Sequence, residues 1–179
     1  VQENFFLFRK NITRAKPIFE DKLWCEYEID INGNPIRISA INAAWMSRIP
    51  ETQGELVFPI DNYIEIIEAP SNLRISLIHH PLNWYCQASY HPLKKTLRTH
   101  SNVILSGHEH SFGSEEVIDS ESGSILLFEA PALQPHDEQN SECSCLLFNI
   151  HENTVVERRF SVSGATPQLL KEEIVPVSY

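Results

Sequence analysis

Two stretches decide the reading of this chain: Ile75-Ser76-Leu77-Ile78-His79-His80-Pro81 and Val103-Ile104-Leu105-Ser106-Gly107-His108-Glu109-His110. Each is a short aliphatic run that closes on histidine. Runs of this length and β-branched character, bounded by Gly or Pro, mark buried strands of a parallel sheet. In open α/β sheets, ligands collect beyond the carboxyl ends of such strands. Imidazoles delivered to one sheet edge from two strands are a metal-site pattern. His108 and His110 stand two apart, so an extended backbone sends both rings to the same side. Gly107 is expected to let the chain turn there without a Cβ clash.

Around these strands the chain punctuates itself clearly. Leu23 to Ile29 and Ile36 to Asn42 flank Asn32-Gly33, the signature of a tight hairpin. Asn42, Trp45 and Ser47 follow the return strand and are placed near the cleft or in its packing. Residues 46–58 form a loop. Ile60, Tyr63, Ile64 and Ile67 recur at helical spacing between Pro59 and Pro70. Residues 82–91 form an aromatic loop with Trp84, Tyr85 and Tyr90, which lines a substrate pocket or builds a small satellite core. A short basic helix is expected from Pro92 to Thr99. From residue 116 to 160 the pattern is all β and is expected to form a second, more antiparallel sheet, and residues 164–179 read as a tail with a helical turn at Gln168 to Glu173.

At the histidines the sequence resembles the calcineurin-like metallophosphoesterases. The apolar strand ending His79-His80-Pro81, followed by a strand ending Gly107-His108-Glu109-His110, is similar to the last two motifs of that family. The resemblance spans roughly residues 20–150. It departs from the family upstream. None of the six glycines precedes an aspartate, and none of the five aspartates has a histidine two residues later. The Asp-x-His, Gly-Asp-x-x-Asp and Gly-Asn-His motifs are therefore missing.

The resemblance implies an α/β (α+β sandwich) fold: residues 1–163 as the C-terminal portion of a four-layer αββα domain with mixed sheets, and residues 164–179 as its tail. It implies a dinuclear site holding two divalent or trivalent ions (Mn, Fe or Zn), with His79 and His108 on one ion and His110 on the other. His80, next to a ligand in an extended strand, is expected to point away and support. Glu109 hydrogen-bonds a ligand ring or is solvated. The implied function is hydrolysis of phosphate mono- or diesters, this chain supplying the His ligands. The implied partners are a phosphate-ester substrate and the N-terminal half of the domain on the same or another chain. With three histidines alone, one ion keeps a single protein ligand, so little activity is expected from this chain by itself. Two other readings stand beside it: a non-catalytic scaffold that keeps the fold, and a mononuclear zinc hydrolase on His79, His108 and His110 with Glu109 as the nearest base.

Composition narrows the classes. The net charge is −10 over 179 residues with no Lys/Arg-rich run, which argues against non-specific nucleic-acid binding. No run of about 18 apolar residues exists to span a membrane. Cys25, Cys86, Cys143 and Cys145 lack a Cys-x-x-Cys spacing, read as small core residues, and favour a reducing, cytoplasmic setting. His91, His100, His136 and His151 are read as ordinary structural histidines.

Overall fold

A computed structural model describes residues 3–12, 15–109, 113–119, 123–130, 141–163 and 166–177. The hairpin forms as expected. Strands β2 (Trp24–Ile31) and β3 (Asn34–Ile41) pair antiparallel, Tyr27 facing Ile38. Their turn has φ of 55° at Asn32 and 83° at Gly33, the left-handed pair that matches strand twist. Asp30 fixes it by accepting the Gly33 N–H at 2.8 Å.

From β3 the chain enters a parallel centre. Strand β4 (Leu73–Ile78) lies beside β3, and β5 (Val103–Ser106) beside β4, both parallel. Nearly all of β4 is buried, which is why its sequence runs apolar instead of alternating. With β1 (Phe19–Glu20), β6 (Gly113–Asp119) and β7 (Gly123–Glu129), the large sheet has seven strands in the order β1-β2-β3-β4-β5-β7-β6. A second sheet holds β8 (Ser141–Asn149), β9 (Thr154–Ser163) and β10 (Thr166–Pro176) in antiparallel order.

Two cores cover the large sheet. On one face Trp24, Ile41, Ile78, Ile104 and Ile125 meet Phe58, Tyr63, Ile67, Leu93 and Leu97. The last four come from the 3₁₀ turn Ile60–Tyr63, helix α2 (Ile64–Ile67) and helix α3 (Gln87–His100). On the other face Ile36, Leu73, Ile75, Val103, Leu126 and Phe128 meet Val155 and Val177 of the small sheet. Helix α1 (Glu3–Ile12) precedes the sheets. The fold is thus a mixed α/β (α+β) sandwich with a large mixed sheet and a second sheet. Among the described residues no helix is long and apolar enough to cross a membrane, and all four cysteines are free.

Several local expectations need correction. Strands β6 and β7 join the large sheet, not the second one. The reason lies in β7: Ile125 packs into one core while Leu126 and Phe128 pack into the other. A strand buried on both faces belongs inside a covered sheet, and β7 pairs parallel with β5. The helical turn at Gln168 to Glu173 is instead part of β10, held to β9 by the ladder and by Arg158 Nε to Glu172 Oε2 at 2.5 Å. Helix α3 starts at Gln87, so Pro92 sits more than a turn inside it and the aromatic loop is shorter than read. Proline is unfavourable there. The buried face of Ser89, Leu93, Thr96 and Leu97 offsets it, and Ser89 Oγ also accepts the Phe58 N–H at 3.1 Å.

One charge lies inside the sheet. Arg74 of β4 pairs with Glu26 of β2, donates to Ser39 Oγ at 3.1 Å and to the Ala69 carbonyl at 2.7 Å. Trp24 Nε1 donates to the other Glu26 oxygen at 2.9 Å. Burial lowers the Arg74 pKa, and the Glu26 carboxylate opposes that shift.

Candidate metal centre

The parallel pairing of β4 and β5 brings their carboxyl ends together. His79 and His80 follow β4 directly. His108 follows β5 after Gly107, whose N–H donates to the His79 carbonyl at 3.0 Å. The strands therefore stop before the histidines, and extended-strand alternation does not govern them. At His108 the backbone φ is +74°, and the Glu109 N–H donates to the Gly107 carbonyl at 2.9 Å. This is the tight turn of a γ type, rare and strained for a residue with a side chain. Gly107 itself is not in the left-handed region. A Cβ there would make only ordinary contact, 3.9 Å from His79. The turn expected of Gly107 is made by His108.

That turn folds the His108 ring back over the end of β4. His108 Nδ1 lies 3.2 Å from His79 Nε2. The His80 ring centroid is 4.4 Å from that of His108 and 4.6 Å from that of His79. One nitrogen from each of His79, His80 and His108 falls within a mutual 4.8 Å. Contrary to the expectation that it points away, His80 joins the cluster and is its most enclosed member, 0% exposed. His79 is the exposed one. His110 lies outside the described residues.

Glu51, which sequence reasoning did not single out, and Trp84 of the aromatic loop complete the surroundings. Glu51, in the loop after Ser47, places Oε2 3.3 Å from His80 Nε2 and 3.5 Å from His108 Nε2. The Ser47 hydroxyl holds the Glu51 carboxyl below its ordinary pKa; partial burial opposes this, and the His80 contact adds to it. Trp84 stands edge-on to His108, centroids 4.2 Å apart, and donates its indole N–H to Glu109 Oε1 at 2.8 Å. Glu109 thus anchors Trp84, which braces the His108 ring. Trp84 also packs on the core that contains Tyr85, the core-packing alternative of the sequence reading. Asn42 and His79 line one cavity, and Asn42 donates to the Lys22 carbonyl at 2.9 Å. His100 faces Glu68 at 3.8 Å, and His91 and His151 are exposed, all away from the cluster.

The donor set fits a cation. Loss of hydration, then the neighbouring imidazoles, lowers the His79 pKa. Loss of hydration also lowers that of His80, with Glu51 pulling the other way. Both shifts favour the neutral ring, which keeps a lone pair for a cation. The buried His80 Nδ1 has no hydrogen-bond partner. The 3.2 Å between His108 Nδ1 and His79 Nε2 is close to the edge of a tetrahedron with metal–nitrogen bonds of about 2.05 Å, roughly 3.3 Å.

No family model and no curated protein matches the chain. Among solved structures it is similar to a hypothetical protein from Thermus thermophilus, at 8% identity over 92% of this chain and 66% of that one, with a TM-score of 0.42. It is similar to a double mutant of Vps29 from Entamoeba histolytica, at 14% identity over 84% and 59%, with a TM-score of 0.37. It is also similar to Vacuolar Protein Sorting 29 from Cryptosporidium parvum, at 10% identity over 97% and 76%, with a TM-score of 0.38. The chain spans less than two thirds of the length of the first two.

Proposed function

We propose that this chain supplies the histidine side of a metal centre that hydrolyses phosphate mono- or diesters. The observation that carries the reading is the meeting of His79, His80 and His108 at the ends of two adjacent parallel strands, their nitrogens within 4.8 Å. His79 and His108 hold one Mn, Fe or Zn ion, as the motif resemblance implies, and His110 serves the second. His80 either joins the first ion through its free Nδ1 or fixes the cluster through Glu51. A cation bound there supplies positive charge to a phosphate oxygen and lowers the pKa of water. Glu51 holds the rings of His80 and His108 in place, and Trp84 keeps solvent from one side of His108. His79, the exposed member, faces the cavity where an ester would lie. The carboxylate and amide ligands that complete such a pair come from the N-terminal half of the domain, on the same or another chain.

The test is elemental analysis of the purified chain beside a His108→Ala/His110→Ala variant, followed by hydrolysis of bis(p-nitrophenyl) phosphate with added Mn²⁺ or Zn²⁺. The expected result is bound metal that the variant loses, with weak turnover by the chain alone. A folded protein that binds no metal refutes the reading. It favours instead a non-catalytic domain in which Glu51 and Trp84 simply pack against the imidazole cluster.

A further inference from the structure

Two cavities share Arg9 and Tyr27 in their walls. The smaller, about 450 Å³, is lined by His79, Asn42, Gly107, Tyr27 and Arg9. The larger, about 1150 Å³, runs between α1 and the start of the large sheet, and Arg9 and Tyr27 line it too. The second space is more than a single phosphate needs.

Its chemistry is unlike the rest of the molecule. The protein carries a net charge of −10, with only 14 Lys and Arg. Four of them, Arg9, Lys10, Lys16 and Lys22, line this one groove, against the acids Glu3 and Glu20. Arg9 pairs with Glu20. Lys10, Lys16 and Lys22 are exposed, and the described residues offer them no ion pair. A basic lining in an acidic protein concentrates anions locally. The groove also carries aromatic surface. Trp45 is 42% exposed, and its indole N–H is fixed on the Val57 carbonyl at 3.0 Å, so the ring is held in place with surface to spare. Phe6 lies under the Arg9 guanidinium, 5.2 Å from the ring centre. Ammonium groups for phosphates beside a fixed, accessible indole are what a nucleotide uses: charge for one end, stacking for the other.

We propose that this groove binds a nucleotide carrying two or more phosphates, the phosphates on Lys10, Lys16 and Lys22 and the base against Trp45. The further statement that its phosphate end is directed to His79 as substrate rests on the phosphoesterase reading; the binding itself does not.

The experiment titrates ADP into the chain in EDTA, by calorimetry and by tryptophan fluorescence. EDTA separates the groove from the metal centre. Saturable binding is expected, with quenching that Trp45→Phe removes. Reversing charge at Lys16 and Lys22 (Lys16→Glu/Lys22→Glu), exposed positions where substitution seldom disturbs folding, weakens ADP by about 10-fold or more. Adenosine and tripolyphosphate each bind more weakly than ADP. No ADP binding up to millimolar concentration overturns the proposal. So does tripolyphosphate binding as tightly as ADP, or ADP binding that the lysine variant leaves unchanged. ADP binding in EDTA by a protein that holds no metal leaves the groove standing and sinks only the catalytic reading.

Discussion

Replacing Arg74 by methionine tests how the strand that presents His79 and His80 is held. Arg74 is 1% exposed and Glu26 0%. Arg74→Met keeps a side chain of similar length but leaves the Glu26 carboxylate buried, with the Trp24 N–H at 2.9 Å as its remaining side-chain donor. The Ala69 carbonyl and Ser39 hydroxyl lose a donor as well. Breaking a buried pair from one side costs about 3–5 kcal/mol, because a charge stays behind without its partner. That is a large share of a domain's usual stability of roughly 5–15 kcal/mol. With a urea slope of about 2 kcal/mol/M, the unfolding midpoint should fall by about 1.5–2.5 M. Glu26→Leu in the Arg74→Met background removes the stranded charge and should recover at least about half of the loss, since an apolar pair can replace a buried ion pair. Urea denaturation of wild type, both single variants and the double variant closes the cycle. A single-variant loss under about 1 kcal/mol, or a double variant that merely sums the singles, would refute the argument.

Three other outcomes are expected. Glu51→Gln should weaken cation binding by about 10- to 100-fold in a chelator competition, as loss of a group that orients ligand imidazoles does; unchanged affinity would exclude Glu51 from that role. Burial first, then the charges of Glu109 and Glu115, raises the Glu129 pKa above its ordinary 4.5. Folding therefore favours the protonated acid: there is no penalty below the ordinary value, and it develops as pH rises towards the raised one. Glu129→Gln should accordingly raise Tm at pH 7 and lose that advantage near pH 4; a gain of equal size at both would point to packing instead. Gly33→Ala meets no atom within 4 Å but must hold φ of +83°, so urea unfolding should register a loss of about 1–2 kcal/mol from backbone conformation alone.

What could be read from the residues depended on how locally each feature is determined. Strands β4 and β5 end where expected, because an aliphatic run meets His or Gly, and Asn32-Gly33 announces its own turn. The meeting of His79 with His108 followed from the parallel ends. His80 was misjudged because alternation was carried past Ile78, where the strand stops. Glu51 carried no signal: its approach to His80 depends on how the loop from Ser47 to Phe58 lies against the sheet. Arg74 hid within an aliphatic strand whose partner, Glu26, is far away in sequence. The sheet to which β7 belongs is likewise a non-local choice, made by which cores Ile125 and Leu126 fill. His110 and His136 lie outside the described residues.

The topology also orders events in time. The β2–β3 hairpin and the β8–β9–β10 meander pair neighbours in the chain and close quickly. The central pairs β3–β4, β4–β5 and β5–β7 are parallel, so each must wait for an intervening crossover to be laid down, and long-range pairings of this kind slow folding. The three imidazoles stand on that central joint and are scattered until it closes. A ligand bridging His79 and His108 would therefore do little for the early hairpins. It would act as a latch on the finished sheet, slowing its opening far more than it hastens its assembly.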